Sequence, residues 1–594
     1  MKSAGTKRFL TAVSSISLLS IAVAGSAVAQ TQNPQTPTTP LGGHLPTRPE
    51  LTQPLANPPS RARIRVRDQG AVAQAPCPLS TSDLRVTIQS VVFDSADGTP
   101  LPAGVAAALR GVGPASTGET PIVAVCQIRD NANDALHRAG YIAAVQFPAS
   151  NDLSSHVLHL MVVTAFIQEI RVHGDAGPFR KLIDERIRQL KALRPLNQFD
   201  AERILLEARD IPGFEASLSL RSAGTIPGAV IGDLTLARRP YDVLVNAQNY
   251  GSRQVGPGTA FVRAEFYGLT GHADETYIGV SSTTEAQEQR VVQIGHLMGL
   301  GRRGDTIGAS LIAAWSRPDL GALDLRTDST IGNIEYTHGF LRTINHSLRL
   351  STGLDIVEQK TRVFTAGAPS PLNLDKLRIA YADLGGGFQI PDRFGGARFV
   401  LRGDLGLRQG LDILDATERG KTINGYQPSR PEGDPKAFVV RADADAVLAF
   451  GPVFSLATKL QSQWAKHPLL SYDEYSVGNL SIGRGYDPGA NSGDSAIGLR
   501  TELRAHIRDL GHGLNGDVYT FYDTVHLWNA DVASTERNRS LDSWGAGFRI
   551  ILPRHLVAEF MYAKPLDKAL TIDKAPPKPR ILVSLTMQFG PNAE

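Results

Sequence analysis

The sequence predicts two small α+β domains followed by an all-β barrel of about 16 antiparallel strands. Three observations predict this fold. The order strand, helix, helix, strand, strand occurs twice between residues 84 and 237, and longer alternating segments follow Tyr241. Beyond the N-terminal segment, no apolar run reaches the roughly 18 residues of a membrane-spanning helix. A membrane could then be crossed only by a closed barrel of strands.

Residues 1–29 have the pattern of a cleaved secretory signal peptide. Lys2, Lys7 and Arg8 are positive, residues 9–24 are apolar, and residues 27–29 form a small-residue cleavage motif. The apolar stretch is short for a membrane anchor, so we expect export and removal of this segment. Lys and Arg number 61 and Asp and Glu number 58, so losing its three positive charges leaves the chain near neutral. A neutral chain does not favour nucleic acid as a partner.

Residues 30–76 are predicted to form a Pro-rich linker, and residues 30–59 of it are expected to be extended and mostly disordered. They are rich in Gln, Thr and Pro without a hydrophobic period, and proline removes helical hydrogen bonds. The prolines up to position 59 are Pro34, Pro37, Pro40, Pro46, Pro49, Pro54, Pro58 and Pro59. Residues 60–75 are only weakly amphipathic, so they do not predict a stable helix either.

Residues 77–166 form the first predicted α+β domain. Residues 84–89 alternate as a strand, 105–110 and 128–141 have helical patterns, and 143–147 and 157–166 are β-rich. Cys77 and Cys126, the only cysteines in the chain, both belong to this domain. An oxidising compartment outside the cytoplasm permits them to form a disulfide, and two unpaired buried thiols are the alternative.

Residues 167–240 form the second predicted domain, with the same order of elements. Strand 167–172 is followed by helices 178–193 and 201–208 and by strands 214–220 and 230–237. Apolar residues of the first helix recur at near-helical spacing: Phe179, Leu182, Ile183, Ile187 and Leu190. Two consecutive units of one order indicate an internal repeat of fold.

Residues 241–594 are predicted to form the barrel. In residues 347–358, Leu348, Leu350, Leu354 and Ile356 alternate with polar residues, and residues 397–408 and 454–464 repeat this pattern. These segments have about 10 to 12 residues, the length that a tilted strand needs to cross hydrocarbon. At roughly 22 residues for a strand and its connection, the available length gives about 16 strands.

Residues 481–489 read Ser-Ile-Gly-Arg-Gly-Tyr-Asp-Pro-Gly. The motif Gly483, Arg484, Gly485 and Tyr486 resembles the tip of the sixth extracellular loop in outer-membrane barrels that bear polypeptide-transport-associated (POTRA) domains. That resemblance implies a loop folded back into the barrel lumen. Glycines on both sides of Arg484 suit such a loop, because they let the backbone turn tightly and approach the wall.

The segment Phe521-Tyr522-Asp523 resembles the barrel-wall motif that meets this loop in the same superfamily. The resemblance implies that Arg484 pairs with Asp523, and an enclosed guanidinium does need a carboxylate. The alternative places Arg484 on a surface loop and Asp523 against water. Val525 stands where the motif has a glycine, which puts the local strand geometry in question.

The order of signal peptide, linker, two POTRA domains and barrel most resembles the two-partner secretion transporters of the TpsB, or haemolysin-activator, type (ShlB/FhaC-like). This resemblance implies an outer-membrane transporter whose POTRA domains lie in the periplasm. These domains would capture an unfolded exported protein, adhesin-like or haemolysin-like and encoded nearby, for passage through the barrel. Outer-membrane lipid and the barrel-assembly machinery are further expected partners. Many members also plug the barrel with an N-terminal helix, which residues 30–59 do not predict.

Other functions are less well supported by the residues. We predict no catalytic residues, metal site, cofactor or nucleic-acid partner, because no constellation of suitable side chains stands at a known spacing. An assembly factor of the same superfamily is the main alternative, although such factors usually have three or more POTRA domains. A passive porin would not need the two repeated domains.

Overall fold

The computed structural model describes residues 47–51, 66–68, 82–149, 152–224, 226–300, 305–391, 397–507, 514–552 and 556–591, with residues 66–68 as backbone only. The predicted signal peptide and Cys77 lie outside the described residues. Two short elements precede the folded units: helix α1, Arg48–Leu51, and strand β1, Val66–Asp68.

The first α/β unit spans residues 82–164. Its elements are β2 Arg85–Thr87, β3 Ser90–Ser95, α2 Ala103–Ala108, β4 Glu119–Pro121, α3 Ala124–Arg138, β5 Ala143–Gln146 and β6 Val157–Thr164. The sheet has the order β3-β6-β5, with β3 parallel to β6. Leu136, Leu158 and Leu160 are fully buried in the core between helices and sheet.

The position of the first strand differs from the prediction. Residues 84–89 contribute only β2, which pairs with β4 in a separate two-stranded sheet. The strand that enters the main sheet is β3, because Val91 and Phe93 pack against the core of the unit. Two adjacent alternating segments look alike in sequence, and only tertiary packing decides between them.

The second α/β unit spans residues 166–238. Its elements are β7 Phe166–His173, α4 Arg180–Ala192, α5 Gln198–Arg209, β8 Phe214–Ser222 and β9 Ala229–Arg238. The sheet order is β1-β8-β9-β7, so β1 adds in parallel to the outer edge of β8. Phe179, Ile183 and Leu190 of the first helical segment are buried against the sheet. No helix within the described ranges is long and apolar enough to cross a membrane.

A closed barrel follows the second unit. Its strands are β10 Tyr241–Gln248, β11 Thr259–Tyr267, β12 Glu275–Thr283, β13 Gln289–Leu300, β14 Asp305–Ser316, β15 Asp319–Leu320, β16 Leu323–Arg342, β17 His346–Thr365, β18 Ala368–Pro391, β19 Ala397–Gly410, β20 Phe438–Phe450, β21 Phe454–Ala465, β24 Ser495–Ile507, β25 Asn515–Trp528, β26 Asn538–Leu552, β27 Leu556–Pro565 and β28 Arg580–Phe589. Strand β15 is a two-residue hairpin strand, and the other sixteen are antiparallel neighbours that close through β10 and β28. The predicted fold class is confirmed.

The barrel has a near end, where β10 leaves the second unit, and a far end opposite. At the near end, Arg342 makes two hydrogen bonds, of 2.6 and 2.9 Å, to the carboxylate of Asp210. The turn after β11 also approaches the second unit, since a Cβ on Gly268 would lie 2.7 Å from Pro178. Counted from β10, the connection between β21 and β24 is the sixth loop at the far end.

The outward face of the barrel is apolar and bordered by aromatic residues. All four tryptophans of the chain face outwards in the far-end half, between 40 and 51 % exposed: Trp315, Trp464, Trp528 and Trp544. Exposed phenylalanines lie at strand ends on the near side: Phe340, Phe388, Phe450, Phe454 and Phe589. Two aromatic belts around an apolar band are typical of transmembrane barrels.

Candidate functional site

The sixth loop, residues 466–494, folds back into the barrel instead of extending from its far end. It contains a short hairpin of β22 Tyr475–Val477 and β23 Asn491–Gly493. Ile482 and Tyr486 are fully buried in one apolar cluster with Val525, Leu527 and Leu541 of the wall. Burial of these large apolar side chains favours the folded-in position of the loop.

Arg484, at the tip of this loop, forms a two-armed ion pair with Asp523 of β25. Its Nε donates to Asp523 Oδ2 at 3.0 Å and its Nη2 donates to Oδ1 at 2.6 Å. Its Nη1 donates to Glu502 on β24. The guanidinium also stacks 3.6 Å from the ring centroid of Phe521. Such a fork geometry makes Arg484 strongly held and specifically oriented.

Asp523 has no contact with solvent, yet its charge is well compensated. Besides the guanidinium, its Oδ2 accepts the backbone N–H of Arg484 at 2.9 Å and that of Gly483 at 3.3 Å. Arg500 lies 3.8 Å away through its Nε. A buried carboxylate is tolerated only with such partners, so removing either side of the pair leaves a costly unpaired charge.

Three charged residues of β24 complete the network, and the sequence interpretation did not single them out. Glu502 accepts from Arg504 Nε at 2.8 Å as well as from Arg484. Arg500 Nη2 donates to the carbonyl of Ser481 in the loop at 2.5 Å. Positions 500, 502 and 504 share one face of a strand, so alternation could have placed them in the lumen together.

The two glycines beside Arg484 have separate physical roles. Gly483 has φ +111°, a conformation that side chains rarely adopt. Gly485 lies so close to the wall that a Cβ would be 2.7 Å from the backbone nitrogen of Pro565 and 2.8 Å from Ser543. Both glycines therefore let the loop tip reach the wall.

Tyr486 ties the loop to the neighbouring far-end connections. Its hydroxyl donates to the carbonyl of Asp542 at 2.9 Å and accepts the backbone N–H of Asp567 at 3.1 Å.

Val525, which stands where the motif has a glycine, does not disturb the wall. Strand β25 pairs with β24 and β26 without a register shift, and Val525 is fully buried. The expected glycine is not required for a continuous strand.

A second set of contacts holds the base of the loop. Asp494 is fully buried and accepts two bonds from Arg430 of the fifth loop, the shorter at 2.5 Å. It also accepts the backbone N–H groups of Leu469 at 2.7 Å and Ala530 at 2.8 Å. Asp494 thereby joins the fifth, sixth and seventh loops, a role that no local sequence pattern indicates.

The predicted linker contributes a second occupant of the lumen. Leu51, the last residue of α1, is fully buried in a cluster with Val357, Leu377 and Leu470. Gln293 Nε2 of the wall donates to the carbonyl of Leu51 at 3.3 Å. The expectation of a disordered linker is therefore wrong for residues 47–51, since one helical turn is enough to bury a leucine in an apolar socket.

Glu50 organises this turn. Its carboxylate accepts the backbone N–H and the hydroxyl of Thr47, both at 2.8 Å. The sequence Thr-Arg-Pro-Glu at 47–50 was the available signal, because threonine three residues before glutamate, with proline in the first turn, favours a helix start. Burial raises the pKa of Glu50 to about 7; the Thr47 hydrogen bonds oppose this rise, and the nearby charge of Asp487 adds to it.

The structure describes only one of the two cysteines that were predicted to pair. Cys126 lies buried on α3 and is disulfide-bonded. Cys77 is outside the described residues, so the identity of the pair remains a prediction.

Comparison with known proteins places these features in a family. The family model described as "Haemolysin secretion/activation protein ShlB/FhaC/HecB" matches residues 235–550, which is more than half of the chain. No curated protein sequence matches significantly.

Two solved structures share the fold. CdiB from Escherichia coli matches with a TM-score of 0.66 and 18 % identity, covering 89 % of this chain and 94 % of that chain. CdiB from Acinetobacter baumannii matches with a TM-score of 0.59 and 14 % identity, covering 89 % and 95 %. With the barrel, its folded-in sixth loop and the family match all in agreement, this chain belongs to the ShlB/FhaC/HecB family of haemolysin secretion/activation proteins, which are outer-membrane β-barrel transporters.

Proposed function

We propose that this transporter captures an unfolded exported protein in the periplasm and passes it through the barrel lumen to the cell surface. In this proposal residues 77–166 and 167–240 are POTRA domains on the periplasmic side, and the partner is an adhesin-like or haemolysin-like protein encoded nearby. The barrel contacts outer-membrane lipid through its apolar band and is inserted by the barrel-assembly machinery. The signal peptide, residues 1–29, directs export.

The observation that carries the proposal is the ion-paired sixth loop inside the lumen. A polypeptide cannot pass while the loop and Leu51 occupy this space, so both occupants have to shift during transport. The Arg484–Asp523 pair gives the loop one defined resting position, because a two-armed pair loses its geometry on small displacements. The charges that line the lumen would keep the path hydrated.

Client capture by strand addition is supported by the second α/β unit. Strand β1 of this chain already adds in parallel to the edge of β8, over Val66–Asp68 opposite Leu218–Leu220. That edge therefore accepts an extended segment through backbone hydrogen bonds, which suits a client of varied sequence. In this proposal the client pairs with sheet edges of the two units before it enters the barrel.

The test is secretion by an Arg484→Ala variant. We expect a correctly inserted barrel that secretes its partner poorly, because Asp523 and Glu502 lose the cation that holds the loop. Arg349→Ala is the matched control, since Arg349 also pairs with an aspartate, Asp404, but about half of each side chain is exposed. This control should secrete normally.

Two outcomes would contradict the proposal. Normal secretion by Arg484→Ala, at equal barrel levels, would remove the loop from the mechanism. A general loss of other outer-membrane barrels in a strain that lacks this protein, with exported proteins unaffected, would indicate assembly instead of secretion.

A further inference from the structure

The barrel closes at a short seam between its first and last strands. Strands β10 and β28 pair over only six residues each, Val243–Gln248 with Ser584–Phe589. By contrast, β17 and β18 pair over twenty. Since each residue pair adds to the ladder of backbone hydrogen bonds, the seam has the least backbone support of any pair of spanning strands among the described residues.

Asparagine side chains reinforce this seam. Asn246 Nδ2 donates to Ser584 Oγ at 3.1 Å and to Thr586 Oγ1 at 2.8 Å. Beyond the end of β10, Asn249 Nδ2 donates to the carbonyl of Ile581 at 2.9 Å, and its Oδ1 accepts the N–H of Val583 at 2.7 Å. Asn246 thus supports the ladder from within, and Asn249 extends the pairing towards the far end of the barrel.

Arg580, the first residue of β28, links the seam to the sixth loop. Its Nη2 donates to the carbonyl of Gly251 in the first far-end loop at 2.9 Å. Its Nη1 donates to the carbonyl of Tyr486 at 3.0 Å and lies 3.0 Å from the carboxylate of Asp487. The side chain of Arg580 is only 7 % exposed, so it depends on these partners to compensate its charge.

Arg580 and its partners belong to three separate parts of the chain. Gly251 lies on the β10 side of the seam, Arg580 itself on the β28 side, and Tyr486 and Asp487 two and three residues after Arg484 in the loop. Withdrawal of the loop would remove the Tyr486 carbonyl and the only carboxylate within ion-pair distance of Arg580 among the described residues. Only Gly251 would remain, and a buried guanidinium with one neutral acceptor is poorly stabilised.

We propose that Arg580 couples the seam to the sixth loop, so that the seated loop keeps the barrel closed at β10 and β28. Loop withdrawal makes transient opening of the seam more frequent, while the asparagine contacts keep the two strands from separating fully. The inference rests on the proposed function for one consequence only: a seam that stays paired keeps the client in the lumen instead of releasing it sideways into lipid.

The coupling is tested by amide hydrogen exchange in the full chain, reconstituted in phospholipid vesicles without any client. Exchange in residues 243–248 and 584–589 reports opening of the seam. Arg580→Gln should exchange about tenfold faster there, because a charge-assisted contact is lost. Arg484→Ala should accelerate the same peptides, although Arg484 does not touch either strand. Arg580→Lys keeps the charge but cannot bind Gly251 and Tyr486 with two separate N–H groups of a guanidinium. Its exchange rate should therefore lie between those of the wild type and Arg580→Gln.

Arg408→Gln is the matched control. Arg408 of β19 binds Asp355 of β17 at 2.5 Å and is similarly buried, and this ion pair joins two wall strands away from the seam. Seam exchange should stay at the wild-type rate in this variant. Equal acceleration in Arg408→Gln would indicate general loosening of the barrel and overturn the coupling, as would an unchanged seam in Arg484→Ala or in Arg580→Gln.

A disulfide across the seam tests the consequence separately. Ala247 and Leu585 are opposite residues of β10 and β28, so the pair Ala247→Cys and Leu585→Cys can be oxidised to close the seam covalently. Secretion should continue in the oxidised protein. Secretion that stops on oxidation and returns on reduction would show that the seam opens to pass the client. Because the exchange experiment contains no client, its result stands even if the proposed secretion function fails.

Discussion

The two occupants of the lumen are held by opposite kinds of interaction. The loop tip is fixed by charge: Arg484 bonds Asp523 and Glu502, and all three are nearly or fully buried. The turn α1 is held by an apolar contact, with Leu51 in its socket, and Gln293 donates a hydrogen bond to the Leu51 carbonyl. The two meet where a Cβ on Gly489 would lie 3.0 Å from the methyl carbon of Thr47.

This difference indicates which occupant leaves more easily. Withdrawal of the tip breaks a buried ion pair and needs water to enter around both charges. Withdrawal of α1 exposes Leu51, at a cost of roughly 2 kcal/mol for its side chain. We therefore expect α1 to be released first and the loop tip to move only when a client or another partner compensates its charges.

The largest effect is expected from breaking the charge contact. Asp523→Ala should destabilise the seated loop by about 3–5 kcal/mol, because Arg484 remains buried without its main partner. Labelling of a cysteine placed at Ala490, which packs against the loop cluster, measures how often the loop leaves its seat. The rate should rise by about 100-fold or more, as the free-energy change implies.

A double-mutant cycle sharpens this prediction. The double variant Arg484→Ala with Asp523→Ala should show a labelling rate little higher than that of either single variant, because each single change already breaks the pair. Effects that simply add would mean that the two side chains stabilise the loop independently, despite their contact.

A smaller effect is expected from emptying the socket of α1. Leu51→Ala should weaken the seat of α1 by about 2–3 kcal/mol, since it removes buried methyl groups and leaves a cavity. Single-channel recording in planar lipid bilayers should show more frequent openings, while labelling at Ala490 stays near the wild-type rate. Leu51→Ile is the control, because it keeps the side-chain volume. If Leu51→Ala raised labelling at Ala490 as strongly as Asp523→Ala does, the two occupants would not be separately held.

The same contrast explains what the sequence could predict. Arg484 and Asp523 were predicted as a pair because both stand in short motifs that resemble a known superfamily, and the structure brings them together. The barrel was predictable from alternation, which is a local property of each strand. The socket for Leu51 was not, since its walls come from five strands and a loop far apart in sequence. Arg580 and Arg430 are also isolated in sequence and acquire partners only through the fold.

A change of one pH unit is expected to have the smallest effect, and it acts on α1. Glu50 has a pKa of about 7 when seated, because burial disfavours its charged form, and about 4.5 as an ordinary exposed side chain. The seated state therefore binds its proton more tightly than the released state. Its stability is greatest below about pH 4.5 and falls as the pH rises towards 7, by about 1.4 kcal/mol for each unit within that interval. Above about pH 7 both states are ionised and no further change is expected.

Channel recordings between about pH 5 and pH 8 test this dependence, and openings should become more frequent up to about pH 7. Glu50→Gln separates Glu50 from other groups, since glutamine stays neutral and its carbonyl can still accept the Thr47 N–H. Glu474, at the base of the sixth loop, also has its pKa raised by burial to about 7, so wild-type data alone would not identify the residue. Loss of the pH dependence in Glu50→Gln assigns it to α1. If the pH dependence were unchanged in Glu50→Gln, it would be assigned to Glu474 at the base of the sixth loop. Titration of Glu50 would then not control the release of α1.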